Sequence, residues 1–150
     1  MPALPYITHF EPATTLHVRV LGPESSTPSP ADLRRLFAGR MLSRTRRERI
    51  ASATRLVVQH GARVIGLAAY DRADDELRVY ELALDPSLCF GAQDILHQLL
   101  EGLEMACLAG GCRRIVLLPA AVVATTALER LGYEVVAEGC AGGWLAKHFA

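Results

Sequence analysis

Leu16, Val18 and Val20 alternate with polar residues inside HFEPATTLHVRVLG, a period of two that predicts a strand, with Pro12 at its start or edge. PESSTPSPAD then reads as a loop, and Ser29–Pro30, or Asp32 close behind, supplies helix-start chemistry. From Ala31 to about Ala53 the period lengthens to that of one long or two short helices, with Leu33, Leu36, Phe37, Met41, Leu42 and Ile50 facing inward and Gly39 at a break. The apolar runs RLVVQ and RVIGLAAY meet at His60 and Gly61, a pair that suits a tight hairpin. The polar turn DRADDE separates the second run from LRVYELAL, so residues 55–84 read as a three-stranded antiparallel meander. Alternation in its last strand puts Tyr80, Leu82 and Leu84 on one face and Val79, Glu81 and Ala83 on the other.

Downstream, Ile95, Leu96, Leu99, Leu100, Leu103 and Ala106 recur at helical spacing, and Gly110–Gly111 ends the helix. RRIVLLPA is a short apolar strand of the kind buried in a sheet. VVATTALERLG predicts a helix stopped by Gly132, and YEVVAEG and GWLAKHF a closing pair of strands across Cys140 to Gly143. No repeat, linker or low-complexity tract interrupts the series, so the expectation is one domain of 150 residues. At this length about 68–70% of the unfolded chain's surface can be buried, enough for a core without disulfide or metal staples.

Charge changes the picture by exclusion. Sixteen basic residues, all arginine except Lys147, balance sixteen acidic ones, so no net field draws the chain to nucleic acid or to a membrane surface. Cys89, Cys107, Cys112 and Cys140 lack the close pairing with histidines of a zinc site, and no metal is expected. Neither a signal-like opening nor a bilayer-length apolar run is present, and the expected compartment is the cytoplasm.

The order strand, helices, meander, helix, strand, helix, strand, strand resembles the GNAT superfamily of acyl-coenzyme A-dependent N-acyltransferases. The residues that carry the resemblance are RVIGLAAY, ELALDP, the Leu-Leu helix ending at Gly110, RRIVLL and LERLGYEVV. It implies an α/β (α+β) fold: a GNAT-like mixed, largely antiparallel sheet with helices on both faces and a cleft at splayed central strands. It also implies acetyl-CoA as cosubstrate, a small-molecule or peptide amine as acceptor, and transfer by direct attack. By position, backbone groups of Leu82, Ala83 and Leu84 would bond the pantetheine arm, and the loop at Gly91 and Ala92 the pyrophosphate. In some relatives the closing strand pair supports a homodimer.

Two family signatures are altered. The phosphate loop usually reads Gln or Arg, two residues, Gly, one residue, Gly or Ala, whereas SLCFGAQDI meets one of those three conditions in any register. Phe90 is bulky there, and Asp94 brings a carboxylate to the positive end of the helix dipole that a phosphate would use. Many members also carry an Asn and an acid Tyr on the closing helix, at positions matched here by Ala121 and Leu128, neither of which donates a proton. Tyr133 falls where the family has a structural aromatic residue.

N-acylation needs a base for the amine proton and donors for the carbonyl oxygen. Glu81, on the strand before the loop, is the candidate catalytic base; the competing reading is a carboxylate paired with Arg78 or Arg63. Tyr80 reads as core with its hydroxyl at an edge, and His97 as solvated. Arg44, Arg46, Arg47 and Arg49 read as a solvated helix face with Glu48, or as the border of a site for an acidic acceptor. Cys89 lies beside the loop without a His partner for nucleophilic work. The rival to an enzyme is a catalytically silent GNAT-fold module that binds a small ligand or a protein partner.

Overall fold

The computed structural model describes residues 16–38, 41–88, 91–118, 125–139 and 142–149. Gly39, Cys89, Phe90, Ala121 and Cys140 lie outside the described residues. Seven strands form one sheet: β1 (Leu16–Leu21), β2 (Thr54–His60), β3 (Arg63–Ala73), β4 (Glu76–Leu84), β5 (Arg114–Leu117), β6 (Glu134–Gly139) and β7 (Gly142–His148). Their order is β1-β2-β3-β4-β5-β7-β6, antiparallel throughout except for the parallel pair β4 and β5. The helices are α1 (Pro30–Leu36), α2 (Arg44–Ser52), α3 (Ala92–Ala109) and α4 (Thr125–Arg130).

Local chemistry explains most boundaries. Ser29 and Asp32 form a reciprocal capping box with Pro30 in the first turn of α1, and the Ser43 hydroxyl caps α2 by accepting from the Arg46 amide. α1 stops at Leu36 and α2 starts only at Arg44, so Met41, expected inward, sits in the connection and is 97% exposed. DRADDE is not all turn: β3 continues to Ala73 and the reversal takes only Asp74 and Asp75, with Asp74 at φ 57°.

Each face of the sheet has its own core. Ile95, Leu96, Leu99, Leu100 and Leu103 of α3 pack on Leu56, Val58, Ala68, Leu77, Val79 and Leu82, and this cluster continues to Ile115, Leu128, Tyr133 and Leu145. On the opposite face Leu36, Phe37 and Ile50 of the α1 and α2 region cover Val57, Val64, Leu67, Ala69 and Ala83. Gly66 is required by close approach, since a Cβ there would lie 2.9 Å from Ile95 Cγ2.

A bulge breaks the alternation of β4. Ala69 pairs with Glu81 but Tyr70 pairs with Val79, so Tyr80 is an extra residue. Val79 therefore faces α3 with Leu82, while Tyr80 and Glu81, consecutive in sequence, both face α2. This corrects the expectation that grouped Tyr80 with Leu82 and Leu84, and Val79 with Glu81: a strict period of two cannot anticipate an inserted residue.

Candidate functional site

β4 carries the site because its two edges end differently. Its ladder with β3 runs through Leu84, but its ladder with β5 covers only Glu76–Val79 against Arg114–Leu117, closed by the Leu118 amide donating to Val79 O at 3.1 Å. From Tyr80 to Leu84 the β5-facing edge has no strand partner among the described residues. That stretch holds Leu82, Ala83 and Leu84.

The turn after β4 is fixed by Asp85, whose side chain is 1% exposed. Its carboxylate accepts from Arg35 Nε at 3.0 Å, from Arg63 Nη2 at 3.0 Å, and from the Ser87 amide and hydroxyl at 2.9 and 2.7 Å. Burial pushes the Asp85 carboxyl upward, but the Ser87 donors and the Arg63 and Arg35 guanidiniums outweigh it and hold it at about 2. The folded value thus lies below the unfolded one. The resulting stability is complete above about pH 4 and is lost as pH falls toward 2, about 2 kcal/mol in all. Urea denaturation at pH 6 and pH 2.5 is expected to show that loss, and Asp85→Asn to flatten this part of the profile; an equal slope in the variant overturns the assignment.

Gly91 follows at φ 83° and caps α3 without a side-chain hydrogen bond; a Cβ there would meet nothing within 4 Å. Asp94 lies in the first turn, exposed, and makes no capping bond to the helix amides. Ala92 opens the helix, half-buried, so the predicted Gly91–Ala92 pair stands at the N-terminus of α3. Leu88 is half-buried against the α3 core. Beside α3, a surface pocket of about 400 Å³ is lined by Gln93, Asp94, Leu96, His97, Arg130 and Leu131.

Glu81 is 1% exposed, and both its oxygens accept from Arg46, Nε to Oε2 at 2.9 Å and Nη2 to Oε1 at 2.7 Å. The pairing raises the Arg46 guanidinium, the hydrogen bond to Glu81 outweighing burial. The expected partners Arg78 and Arg63 are engaged elsewhere, with Glu76 and Asp85. The arginine cluster is divided: Arg44 pairs with Glu48 in solvent, as a solvated face would, while Arg46 and Arg49 reach the sheet. Arg35 and Arg46 are committed to buried carboxylates, so the described arginines between residues 34 and 49 present no single basic stripe.

Tyr80 sits beneath Arg49, whose guanidinium is 5.3 Å from the ring centroid, and donates its hydroxyl to Asp71 Oδ2 at 2.6 Å. Burial, then the Asp71 carboxylate, push this hydroxyl upward against Arg78 and Arg49. Sequence reasoning missed the grouping of Arg49, Asp71 and Tyr80. Asp71 was assigned to a turn and Tyr80 to the other face, and the bulge that unites them leaves no mark in the hydrophobic pattern.

Leu128 is buried in the α3 core and brings no proton donor to the cleft. Tyr133 is buried in the same cluster, as a structural aromatic would be. Burial, with Cys112 beside it, pushes the Cys107 thiol up to about 11, so it is no nucleophile near neutrality. Among the described residues no group of three His, Cys, Asp or Glu could hold a metal, and no helix is long and apolar enough to cross a membrane.

No protein-family model and no curated protein matches the sequence. Solved structures do match the fold. An IAA acetyltransferase from Bacillus cereus superposes with a TM-score of 0.69 at 12% identity, over 90% of this chain and 100% of that one. A GNAT family acetyltransferase from Elizabethkingia anophelis with acetyl-CoA bound gives 0.66 at 12% identity, over 91% and 99%. N-acetylglutamate synthase from Neisseria gonorrhoeae, complexed with coenzyme A and N-acetyl-glutamate, gives 0.63 at 15% identity over 89% of this chain, which spans only 35% of that protein. With the seven-stranded mixed sheet, the helices on both faces and the early parting of β4 from β5, the chain has the fold of the GNAT acetyltransferases.

Proposed function

We propose that the protein is an N-acetyltransferase of the GNAT superfamily that moves an acetyl group from acetyl-CoA to a primary amine. The observation that carries this reading is the β4 edge from Tyr80 to Leu84, which has no strand partner among the described residues, followed by a helix N-terminus that no described side chain caps. An extended pantetheine arm matches the backbone of Leu82, Ala83 and Leu84, and a pyrophosphate matches the amides beyond Gly91, where the left-handed glycine leaves open space. Arg130, lining the pocket beside α3, is a cation that a ligand phosphate would meet. Against this fit stands the Asp94 carboxylate, which lowers affinity for the phosphates without blocking them.

The thioester supplies an acyl carbon that exchanges its C–S bond for a C–N bond, the amine giving up one proton and the departing thiolate taking one. Glu81 is the proposed acceptor of the amine proton, directly or through water. An ionised carboxylate has about four acceptor sites, of which Arg46 takes two, so Glu81 keeps capacity for a further donor.

Calorimetric titration with acetyl-CoA and desulfo-CoA tests the donor site. Binding at about 100 μM or tighter, roughly −5.5 kcal/mol or better, is expected. A second reading, a silent GNAT-fold module, is favoured by the bidentate lock on Glu81 and the buried Leu128. It predicts no heat and no thermal stabilisation at millimolar ligand.

A further inference from the structure

The buried Glu76, Glu81 and Asp85 and the half-buried Asp32 each have an arginine partner: Asp32 and Asp85 with Arg35, Glu76 with Arg78, Glu81 with Arg46. Asp71 and Arg49, both exposed, lack such a bond among the described residues. Among the described residues Asp71 accepts only the Tyr80 hydroxyl, through one oxygen, and its cross-strand neighbour Arg78 is engaged by Glu76. Arg49 makes a cation–π contact with the Tyr80 ring and has no carboxylate partner among the described residues. Both border one pocket of about 370 Å³, with Ser52, Thr54, Tyr80 and Leu118. They share it without forming an ion pair with each other.

The pocket's place is as telling as its charges. Tyr80 is the bulged residue of β4 and Leu118 ends the β5 ladder, so the lining joins the end of α2 to the level at which the two strands part. A volume near 370 Å³ lies within the roughly 300–1,000 Å³ of small-molecule sites. A purely cationic ligand would meet Arg49 unfavourably, and a purely anionic one Asp71. A dipolar ligand satisfies both.

We infer that this pocket is the acceptor site and that it takes a small molecule bearing both an amine and an anionic group, Asp71 holding the amine end and Arg49 the anion. The inference rests on the acetyl-transfer reading and names its substrate class. In the transfer an ammonium acceptor and a thioester give an amide, a free thiol and one released proton. The Tyr80 ring lies against the Arg49 guanidinium, and its hydroxyl donates to Asp71 and fixes the orientation of that carboxylate.

The test uses the full chain with acetyl-CoA and the series of α,ω-amino carboxylates from glycine to 6-aminohexanoate. Each is compared with its methyl ester and with the carboxylic acid that lacks the amine, and thiol release and product mass are followed. At least one free amino acid should be used about 10–100-fold better than its ester. Arg49→Leu should raise KM for that acid by a similar factor and leave the ester unchanged, Arg49→Lys should restore part of the loss, and Asp71→Asn should raise KM for both. Equal use of esters and acids, or indifference to Arg49→Leu, overturns the inference, as does donor binding with no amino carboxylate accepted. If the donor itself does not bind, the transferase reading fails. The ligand class is then decided by the Tyr80 ring signals in NMR: shifts on adding the series, lost in Asp71→Asn, uphold a dipolar site, and unchanged signals reject it.

Discussion

Arg55→Met is expected to lower the unfolding free energy by about 2–4 kcal/mol, through carbonyl acceptors left without their donor at roughly 1–3 kcal/mol for each that water cannot reach. Arg55 is 3% exposed on β2, and its guanidinium donates to four carbonyls: Gly22 O and Ser25 O at 2.7 Å each, Ala51 O at 3.1 Å and Ile50 O at 3.2 Å. Two of these belong to the last turn of α2, where carbonyls lack partners within the helix, and two to the loop after β1. Methionine approximates the arm but returns none of these bonds, so one buried and three part-buried acceptors lose their donor in two segments at once. For a domain whose whole stability is about 5–15 kcal/mol, that is a large fraction. Denaturation in urea with unchanged slope and a lower midpoint is the expected record, and a shift under about 1 kcal/mol would reject the clamp. Arg55→Lys should recover only part, because an ammonium cannot span four acceptors in a planar fork.

Glu81→Gln is expected to reduce kcat by about 10²–10⁴-fold, the usual worth of a positioned base, with KM for the donor little changed. Glutamine keeps the shape and part of the bonding to Arg46, which separates chemistry from support. Arg46→Leu makes the complementary change by leaving the buried carboxylate unpaired. It should cost about 3 kcal/mol, the low end for a broken buried pair because Arg46 is itself 36% exposed to screening water. A Glu81→Gln enzyme with full turnover and a lower midpoint would make this pair a strut between α2 and β4 and remove Glu81 from the chemistry.

The positions of these residues were unequally legible in the sequence. The meander, the Leu-rich α3 and the ending at Gly110 follow directly from period and punctuation, and all three stand in the structure. Glu81 on the strand before the loop, and the Gly91–Ala92 helix start, were likewise visible. What escaped depended on an inserted residue or on distance in sequence. The bulge at Tyr80 shifts the phase of β4 by one, which no composition signal encodes. The Arg46 to Glu81 pair joins residues 35 apart, and four arginines in six residues give no hint of which two turn inward. Met41 failed because helical periodicity was carried past Leu36, where α1 ends, to residues 41–43, which are not helical.

The short seam between β4 and β5 has a mechanical consequence. Backbone hydrogen bonds between the block β1–β4 and the block β5–β7 are confined to the run from Asp75 to Val79 among the described residues, with α3 lying across both. Amide exchange in β5 and β7 is therefore expected to report a partial opening at lower free energy than in β2 and β3. A ligand wedged between the parted strands would act as a rivet through that seam. Its binding would slow exchange in β7, a strand away from any contact, so occupancy of the cleft becomes readable as the joint rigidity of two half-sheets.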